Sequence, residues 1–471
     1  MTATGHKHLA VDDSWIAESC GIYRRVHPFR KHPANPVLRA DQPWEQEVYT
    51  YGTMMHDRGR FRAWYQILNR DRRFESRLVT AVGYAESRDG IVWTKPLVGE
   101  TVTPFGRTNI VMLASGRSDL CSPSVVRLPQ PGGRARYGML FFDAMKGEDI
   151  IAHGAPFPSP PDVEGWRSIG GEGLFYCTSR DGIAWRRPAK PVIGGPSDTA
   201  CLALKPDGSL LAVFKTSRHP ARHFRIIGAA ESSDGETWSK PRIVLEPDWR
   251  DEPGTEFYGM SPILYDGTWL GLLWIYHNTP DDKRLDVQLA IPERADRPGG
   301  PWKRALERRT ILETGERGDW DAGRVYPSST ILRGAPGQPP GEMWLYYAGA
   351  TTRHDDRRYV RRHVGLATMR IDGFASLDTD HRGGWLETAP TMPLGHEIQV
   401  NLDAYNGALR ILARPHRGPG DWVSFDPVTA TNSVAAGVPV PPRLVGQRVR
   451  LRFELVNARL FAWTIVQGEA A

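Results

Sequence analysis

Ser87-Arg88-Asp89-Gly90-Ile91-Val92-Trp93 is the first of three copies of the pattern Ser-x-Asp-Gly-x-x-Trp. The second copy begins at Ser179 and the third at Ser232, and a basic residue followed by proline comes after each. Asp-Gly is a strong hairpin signal because glycine takes positive φ at little cost, and Ser and Asp side chains bond nearby backbone N–H groups. The Trp is expected to begin the next strand and to pack between neighbouring sheets. We therefore interpret the motif as scaffold, and its repetition predicts a β-propeller or a β-solenoid.

The repeats divide most of the chain into five similar units. Each closes on one copy of the motif or on a degenerate version of it, and each leaves room for about four strands. The units cover residues 44–93, 109–185, 197–238, 251–302 and 319–374. Five units of roughly 45 to 80 residues are typical of a five-bladed propeller. Residues 1–43 are expected to wrap the outside or to supply a strand that closes the ring.

The sequence changes character after residue 375. Short alternating segments separated by Gly, Pro and Asn follow there, which indicates a small antiparallel sandwich. These segments are residues 397–403, 408–413, 448–454 and 460–465. The predicted fold class is all-β, a five-bladed β-propeller followed by a C-terminal β-sandwich. We assign residues 1–375 to the catalytic propeller and 376–471 to the sandwich.

Composition excludes several classes of protein. The 471 residues include 48 Gly, 38 Pro and 16 Trp, which suits a turn-rich β protein. The net charge of +6 comes from scattered Arg, and the basic segment 353–362 also contains acids, so we interpret it as a solvated loop and predict no nucleic-acid partner. The four cysteines lie far apart without the spacing of a zinc site or a disulfide framework.

No targeting or cofactor signal stands out. The N-terminus lacks the apolar segment of a secretory signal, and no apolar run is long enough to span a bilayer, so we expect a cytoplasmic protein without a membrane partner. Neither a P-loop, a G-x-G-x-x-G segment, a G-x-S-x-G elbow nor H-E-x-x-H occurs. The sequence therefore predicts no cofactor and no metal, and it leaves the oligomeric state open.

Acidic residues recur where the units begin. In a propeller the first strand of every blade lines the central channel, so such residues are expected to converge although they are distant in sequence. Like charges close together raise the pKa of at least one carboxyl, and one protonated acid beside one ionised base is what glycosidic cleavage needs. The alternative is that each acid caps a strand or pairs with an Arg of the next blade. The candidates are Glu45, Asp119, Asp198, Glu256 and Asp321, with Asp251 and Asp319 as alternates.

Aromatic side chains accompany several of these acids. Their flat, rigid faces stack on the C–H surfaces of sugars, and a sugar pocket pairs such faces with carboxylates. The other interpretation is core packing for the aromatic residues and a structural role for a lone His. The candidate substrate-binding residues are Trp44, Asn109, Tyr258, His277, Trp320 and Tyr326.

The chain resembles the five-bladed glycoside hydrolase superfamily of family 32, the invertase and levanase type, and family 43, the arabinanase and xylosidase type. The resemblance rests on the three Asp-Gly turns, on the stretch His32-Pro33-Ala34-Asn35-Pro36-Val37-Leu38 and on the acids at blade starts, and it is closest to bacterial family-32-like proteins. It implies the C-terminal sandwich of invertase-type enzymes.

The chain also departs from that pattern. The nucleophile phrase Trp-x-Asn-Asp-Pro-Asn-Gly of the invertase type does not occur. By position Glu45, Asp119 and Asp198 occupy the acid slots of the first three blades, and the third slot holds Asp where the families use Glu as general acid.

The leading hypothesis is a glycoside hydrolase or transglycosylating enzyme that acts on a furanoside or small sugar unit. Glu256 is the candidate general acid, and Glu45 or Asp198 the candidate nucleophile or base. Asp119 and Asp321 would orient sugar hydroxyls. Two alternatives remain open. One is a repurposed propeller that catalyses cyclisation, dehydration or isomerisation of a small metabolite. The other is a carbohydrate-binding propeller without catalysis.

Overall fold

The chain folds almost entirely into β-strands. The computed structural model describes residues 6–69, 79–100, 103, 105–114, 120–129, 136–144, 172–186, 188–194, 198–219, 222–354, 356, 361–417 and 420–466. Within these ranges there is no α-helix, and the only helical elements are two short 3-10 turns, Leu306–Arg308 and Pro442–Leu444.

Five antiparallel units follow one another along the chain, and within each the strands pair in sequence order. Blade 1 consists of Glu47–Asp57, Arg60–Asn69, Val79–Ser87 and Trp93–Thr94, with Ile110–Leu113 on its third strand. Blade 2 consists of Cys121–Arg127, Tyr137–Ala144, Glu172–Ser179 and Ile193–Gly194. Blade 3 consists of Ala200–Leu204, Leu210–His219, Arg222–Ser232 and Arg242–Leu245.

The last two blades complete the ring. Blade 4 consists of Thr255–Tyr265, Thr268–His277 and Leu285–Pro292, with Trp302–Arg304 and Thr310–Leu312 on its outer edge. Blade 5 consists of Arg324–Arg333, Glu342–Ala350 and Arg362–Arg370, and its outer strand is the N-terminal Arg30–Lys31. A segment from the start of the chain thus closes the final blade, as one of the two expectations for residues 1–43 stated.

The first strands of the five blades surround the centre. Each of them contacts the first strand of the blade before it and of the blade after it, and the first strand of blade 5 contacts that of blade 1. The ring is therefore closed. The predicted fold class, an all-β five-bladed propeller followed by a β-sandwich, is confirmed.

The C-terminal strands form one strongly curled sheet. Its strands are Ala375–Asp378, Gly384–Thr388, Glu397–Pro415, Val423–Ser424, Val428–Pro439, Val449–Val456 and Arg459–Val466. The long strand Glu397–Pro415 pairs along its first half with Arg459–Val466 and along its second half with Val449–Val456. Its two halves therefore belong to two layers around a shared core that contains Leu402, Phe453 and Trp463.

Three N-terminal strands, His8–Leu9, Ile16–Cys20 and Tyr23–Val26, join this C-terminal sheet. The domain division at residue 375 stays a prediction. The pairing of these three N-terminal strands places the start of the chain in the second unit. A buried polar group also lies at the junction between the two units. Asp372 accepts hydrogen bonds there from Lys7, Tyr265 and Asn401.

The repeated Asp-Gly turns have one geometry. In the first copy the Ser87 hydroxyl accepts from the Gly90 N–H at 2.8 Å, and Asp89 Oδ1 accepts from the two following N–H groups. The glycine has φ of +75°, and the indole N–H of Trp93 donates to its carbonyl. The second and third copies repeat each of these contacts. The motif is scaffold, as interpreted from the sequence.

Each turn docks on an aromatic residue of the preceding blade. The Gly90 carbonyl accepts from the Tyr346 hydroxyl of blade 5, and the Gly182 carbonyl accepts from the Trp64 indole of blade 1. Gly235 lies against the ring of Tyr176 in blade 2. The motif tryptophans meet the expectation in part: only Trp93 begins a strand and all three are half-buried. Trp93 and Trp238 nevertheless pack against the preceding blade, edge-on to Tyr346 and Tyr176. Their indoles close their own turns, and the residues that receive the turns fill the space between blades.

Candidate active site

A cluster of tyrosines lies at the centre of the propeller, around the first strands of its blades. Tyr51 of blade 1 lies edge-on to Tyr326 of blade 5 with ring centroids 5.1 Å apart, and Tyr326 lies 5.9 Å from Tyr258 of blade 4. Tyr49 and Tyr276 extend the group on either side. We call these five residues the tyrosine cluster. They come from blades that are distant in sequence, so only closure of the ring brings them together.

A short repeated phrase places the cluster. At or next to their first residue, the first strands of blades 1, 4 and 5 carry a charged residue, an apolar residue and a tyrosine in that order: Glu47-Val48-Tyr49, Glu256-Phe257-Tyr258 and Arg324-Val325-Tyr326. Successive side chains on a strand point to opposite faces. The apolar residue is fully buried between blades in all three cases, so the charged residue and the tyrosine share the face that turns to the centre.

Glu256 is held by two donors. One carboxylate oxygen accepts from the Arg225 guanidinium at 2.6 Å, and the other accepts from the Asn278 amide. The Arg225 guanidinium also lies over the rings of Tyr258 and Tyr276, 5.4 and 5.0 Å from their centroids. The Glu256 side chain is 5% exposed, and its ion pair with the guanidinium supplies the counter-charge that a buried carboxylate needs.

Asp198 is the more open carboxylate. Its side chain is 37% exposed, and it forms an ion pair with the buried Lys215 of blade 3. The Lys215 ammonium lies 4.0 Å from the centroid of the Tyr258 ring. Tyr258 therefore contacts the cations that bind Asp198 and Glu256, and it joins both carboxylates to the tyrosine cluster.

Two further groups complete the surroundings. Glu47 forms an ion pair with Arg362 at 3.1 Å, and that guanidinium lies 4.7 Å from the centroid of Tyr49. The His354 imidazole shares a hydrogen bond of 2.9 Å with the Tyr258 hydroxyl. We call Glu47, Asp198, Glu256, their three cations, His354 and the tyrosine cluster the funnel site.

Burial and charge set the protonation of this site. Burial raises the pKa of the Tyr49, Tyr51 and Tyr258 hydroxyls well above the ordinary value, so they remain neutral hydrogen-bond donors. Burial lowers the pKa of the Arg225 guanidinium, but the hydrogen bond to Glu256, together with the electrostatic effects of Tyr258, Glu256 and Tyr276, outweighs burial and the net pKa is raised. The funnel site thus combines carboxylates that are each paired with a cation and tyrosine hydroxyls that stay neutral.

Glu45 lies elsewhere, in the layer between blades 1 and 5. Its oxygens accept from the Tyr65 hydroxyl at 2.6 Å and from the Lys95 ammonium at 2.5 Å. Burial raises the pKa of this carboxyl, and Lys95 opposes the shift. Trp44 and Asn109 belong to the same network, because the Trp44 indole donates to Asn109 and the Asn109 amide donates to the Tyr65 hydroxyl. This arrangement ties the start of blade 1 to its second and outer strands.

Asp321 has an equivalent position between blades 4 and 5. It accepts from the Tyr347 hydroxyl at 2.8 Å and pairs with Lys31 of the closing strand at 2.7 Å. Trp320 stacks on Tyr347 with centroids 5.7 Å apart. Here too an acid before the first strand binds a tyrosine of the second strand and a lysine of the outer strand, which is a repeated structural contact.

Two further predicted residues, His277 and Asp251, contact other charged residues outside the funnel site. His277 shares a hydrogen bond of 2.8 Å with Asp286 and lies on the strand face opposite to Tyr276. The alternate acid Asp251 forms an ion pair with Arg304 at 2.7 Å on the outer edge of blade 4. Asp119 lies outside the described residues. Of the eleven residues that the sequence suggested, the funnel site contains Asp198, Glu256, Tyr258 and Tyr326.

Sequence reasoning missed most of the funnel site. The missed residues are Glu47, Tyr49, Tyr51, Lys215, Arg225, Tyr276, His354 and Arg362. The charged–apolar–Tyr phrase at three blade starts was the available signal for two of them, Glu47 and Tyr49. No sequence pattern pointed to the cations, because each comes from a different strand and can be identified only from the carboxylate with which it pairs in the structure.

No protein-family model matches the sequence, and no curated protein matches it. Solved structures with a related fold include the β-1,2-mannobiose phosphorylase of Listeria innocua, with a TM-score of 0.49, 13% identity and coverage of 74% of this chain and 98% of that chain. A family 32 β-fructofuranosidase of Bombyx mori has a TM-score of 0.44, 11% identity and coverage of 93% and 95%. An N-acetylgalactosamine deacetylase of F. plautii has a TM-score of 0.45, 15% identity and coverage of 79% and 96%. These values select no particular family, and the fold assignment rests on this chain's own strand pairing.

Among the described residues no helix is long and apolar enough to cross a membrane. Among the same residues no group of three or more His, Cys, Asp or Glu side chains is placed to hold a metal ion.

Proposed function

We propose that this protein is a carbohydrate-active enzyme that breaks or transfers a glycosidic bond of a furanoside or small sugar unit in the funnel site. One observation carries the proposal: Asp198 and Glu256 are each paired with a cation that contacts the ring of Tyr258. Carboxylates beside rigid aromatic faces are what a sugar pocket needs.

The contacts favour different roles for the two carboxylates. Glu256 accepts from both Arg225 and Asn278, which stabilise its ionised form. An ionised carboxylate suits the nucleophile or base, or the stabilisation of positive charge at the anomeric carbon, better than proton donation. We therefore move the nucleophile or base role to Glu256.

Asp198 takes the role of proton donor in this proposal. It is the most exposed of the three funnel carboxylates, and its cation, Lys215, is shared with the face of Tyr258. A sugar that stacks on Tyr258 would compete with Asp198 for Lys215 and weaken the ion pair. Loss of that pairing raises the pKa of a carboxyl, which allows it to donate a proton to the leaving oxygen.

Glu45 and Asp321 have no catalytic role in this proposal. Each is enclosed between two blades and bound by its own tyrosine and lysine. Their contribution is to hold the ring at the starts of blades 1 and 5, which fixes the tyrosines of the funnel site from both sides.

The test is an assay of Asp198→Asn and Glu256→Gln with aryl furanosides and short oligosaccharides. We expect each variant to lose about 100-fold or more in kcat/KM, the usual effect of removing a general acid or base. Product masses identify the reaction, because hydrolysis adds one water, dehydration removes one and isomerisation leaves the mass unchanged. Wild-type activity in both variants, or sugar binding without turnover by the wild type, would refute the proposal.

A further inference from the structure

Arg324 is a buried cation without a counter-charge among the described residues. It begins the first strand of blade 5, is 1% exposed and shares the strand face of Tyr326. Nη1 donates to the carbonyl of His354 at 3.0 Å. Nε and Nη2 have no hydrogen-bond partner within the described part of the chain.

The unpartnered atoms form one edge of the guanidinium. The Nε–H and one Nη2–H point in the same direction, and this fork matches two oxygens of a carboxylate or a phosphate. Burying a charge without a partner is costly, so such a group is normally neutralised by an anion. The geometry of Arg324 therefore fits a two-oxygen anion.

Comparison within the ring strengthens this conclusion. Glu47 and Glu256 hold the equivalent place in the first strands of blades 1 and 4, and each is matched by a cation, Arg362 or Arg225. At the third such place the sign is reversed, and within the described part of the chain the Arg324 side chain has only the His354 carbonyl as a hydrogen-bond partner. The two matched pairs show that this ring neutralises charge at this position.

We propose that Arg324 anchors an anionic oxygen group, a carboxylate or a phosphate, of the molecule that binds in the funnel site. The anion lies beside His354, whose imidazole contacts Tyr258 and whose carbonyl binds the same guanidinium. The inference rests on the proposed function and narrows its substrate class to acidic or phosphorylated sugars.

Ligand-dependent thermal unfolding and calorimetry test the proposal with galacturonate, inorganic phosphate and neutral galactose as probes. We expect the wild type to bind at least one of the anions and to prefer it over galactose. Galacturonate alone would identify a sugar carboxylate, and phosphate would identify a phosphoryl group. Failure of both anions to bind would overturn the proposal.

Arg324→Met is the decisive variant. Without its unpaired charge we expect a higher unfolding temperature in the absence of anions and an affinity for the anion that is lower by about 10-fold or more, the value of a charged hydrogen bond. Arg304→Met is the matched control, because the Arg304 side chain is also largely enclosed, at 7% exposed, but is bound to Asp251 and Gln288. It should lower the unfolding temperature and leave anion affinity unchanged. Wild-type anion affinity in Arg324→Met would contradict the assignment.

A second variant covers the case in which Arg324→Met folds poorly. Arg324→Lys keeps the charge but removes the two-pronged edge, so anion affinity should fall while the far-UV spectrum stays unchanged. The result also separates this inference from the enzymatic one. Loss of activity in Asp198→Asn together with unchanged anion binding in both Arg324 variants would remove the anchor and leave the proposed function standing.

Discussion

Glu45 and Glu47 are two residues apart, yet they belong to different parts of the molecule. Glu45 lies in the layer between blades, where a tyrosine hydroxyl and a lysine bind its oxygens directly. Glu47 begins the first strand and pairs with Arg362, whose guanidinium lies over the ring of Tyr49. Both regions contain carboxylates, cations and tyrosines, and only the arrangement differs.

The arrangement separates structural acids from candidate catalytic ones. In the layer between blades the tyrosine hydroxyl donates its hydrogen bond to the acid, as Tyr65 does to Glu45 and Tyr347 to Asp321. In the funnel site the tyrosine rings face cations, and the Tyr258 hydroxyl binds His354. The partly exposed Asp198 side chain gives the funnel site a group that a ligand can reach, whereas the acids between blades are enclosed with their tyrosine hydroxyls.

The difference between the two regions is tested most directly by replacing a whole ion pair in each of them. Asp198→Asn with Lys215→Met should lower kcat/KM by about 100-fold or more, because it removes a proposed proton donor and its cation. Glu45→Gln with Lys95→Met should leave kcat/KM within about 3-fold, because replacing both members of a buried pair is often nearly neutral for folding. Steady-state kinetics and circular dichroism on both double variants decide the matter. If both double variants fold properly and lose comparable activity, the division into structural and catalytic acids is wrong.

The sequence predicted the fold well because its turns are local. Three Asp-Gly turns use hydrogen bonds among seven consecutive residues, so their chemistry can be read directly from the chain. The site was predicted less well. The backbone turns between Gln42 and Glu45 before the strand begins at Glu47, and that register decides which acid faces the centre. It depends on pairing with the next strand rather than on residue type.

Removal of one member of a between-blade pair should have the largest effect on stability. Lys95→Met leaves Glu45 buried without its closest cation, and we expect the free energy of unfolding to fall by about 3 kcal/mol near neutral pH. Urea denaturation measures it. The control is Arg60→Met, which removes a half-exposed partner of Glu86 and should cost under about 1 kcal/mol. Equal losses for the two variants would argue against a structural role for the between-blade pair.

The stability loss in Lys95→Met should depend on pH, and the buried Glu45 carboxyl determines in which direction. Burial already raises the pKa of Glu45, and without Lys95 it rises further. A carboxyl whose folded-state pKa exceeds its unfolded value stabilises the fold below the unfolded pKa and loses that contribution as pH rises through the folded pKa. The loss of stability in Lys95→Met should therefore be smaller at about pH 5 than at about pH 7. A loss that shrinks as pH rises would be inconsistent with a buried Glu45 carboxylate.

A smaller effect is expected where a turn meets the preceding blade. Gly235 has φ of +81°, and a Cβ added there would lie 2.1 Å from the Tyr176 ring. Gly235→Ala should cost about 2 kcal/mol or more, because positive φ is unfavourable for alanine and the ring must move. Gly59→Ala is the matched control. Its φ is +74° and nothing lies within 4 Å of the new Cβ, so only the backbone cost of about 1 kcal/mol applies. Because the two variants share the backbone cost, the difference between their unfolding free energies isolates the contact between blades. A difference near zero would mean that the turn does not hold blade 3 against blade 2.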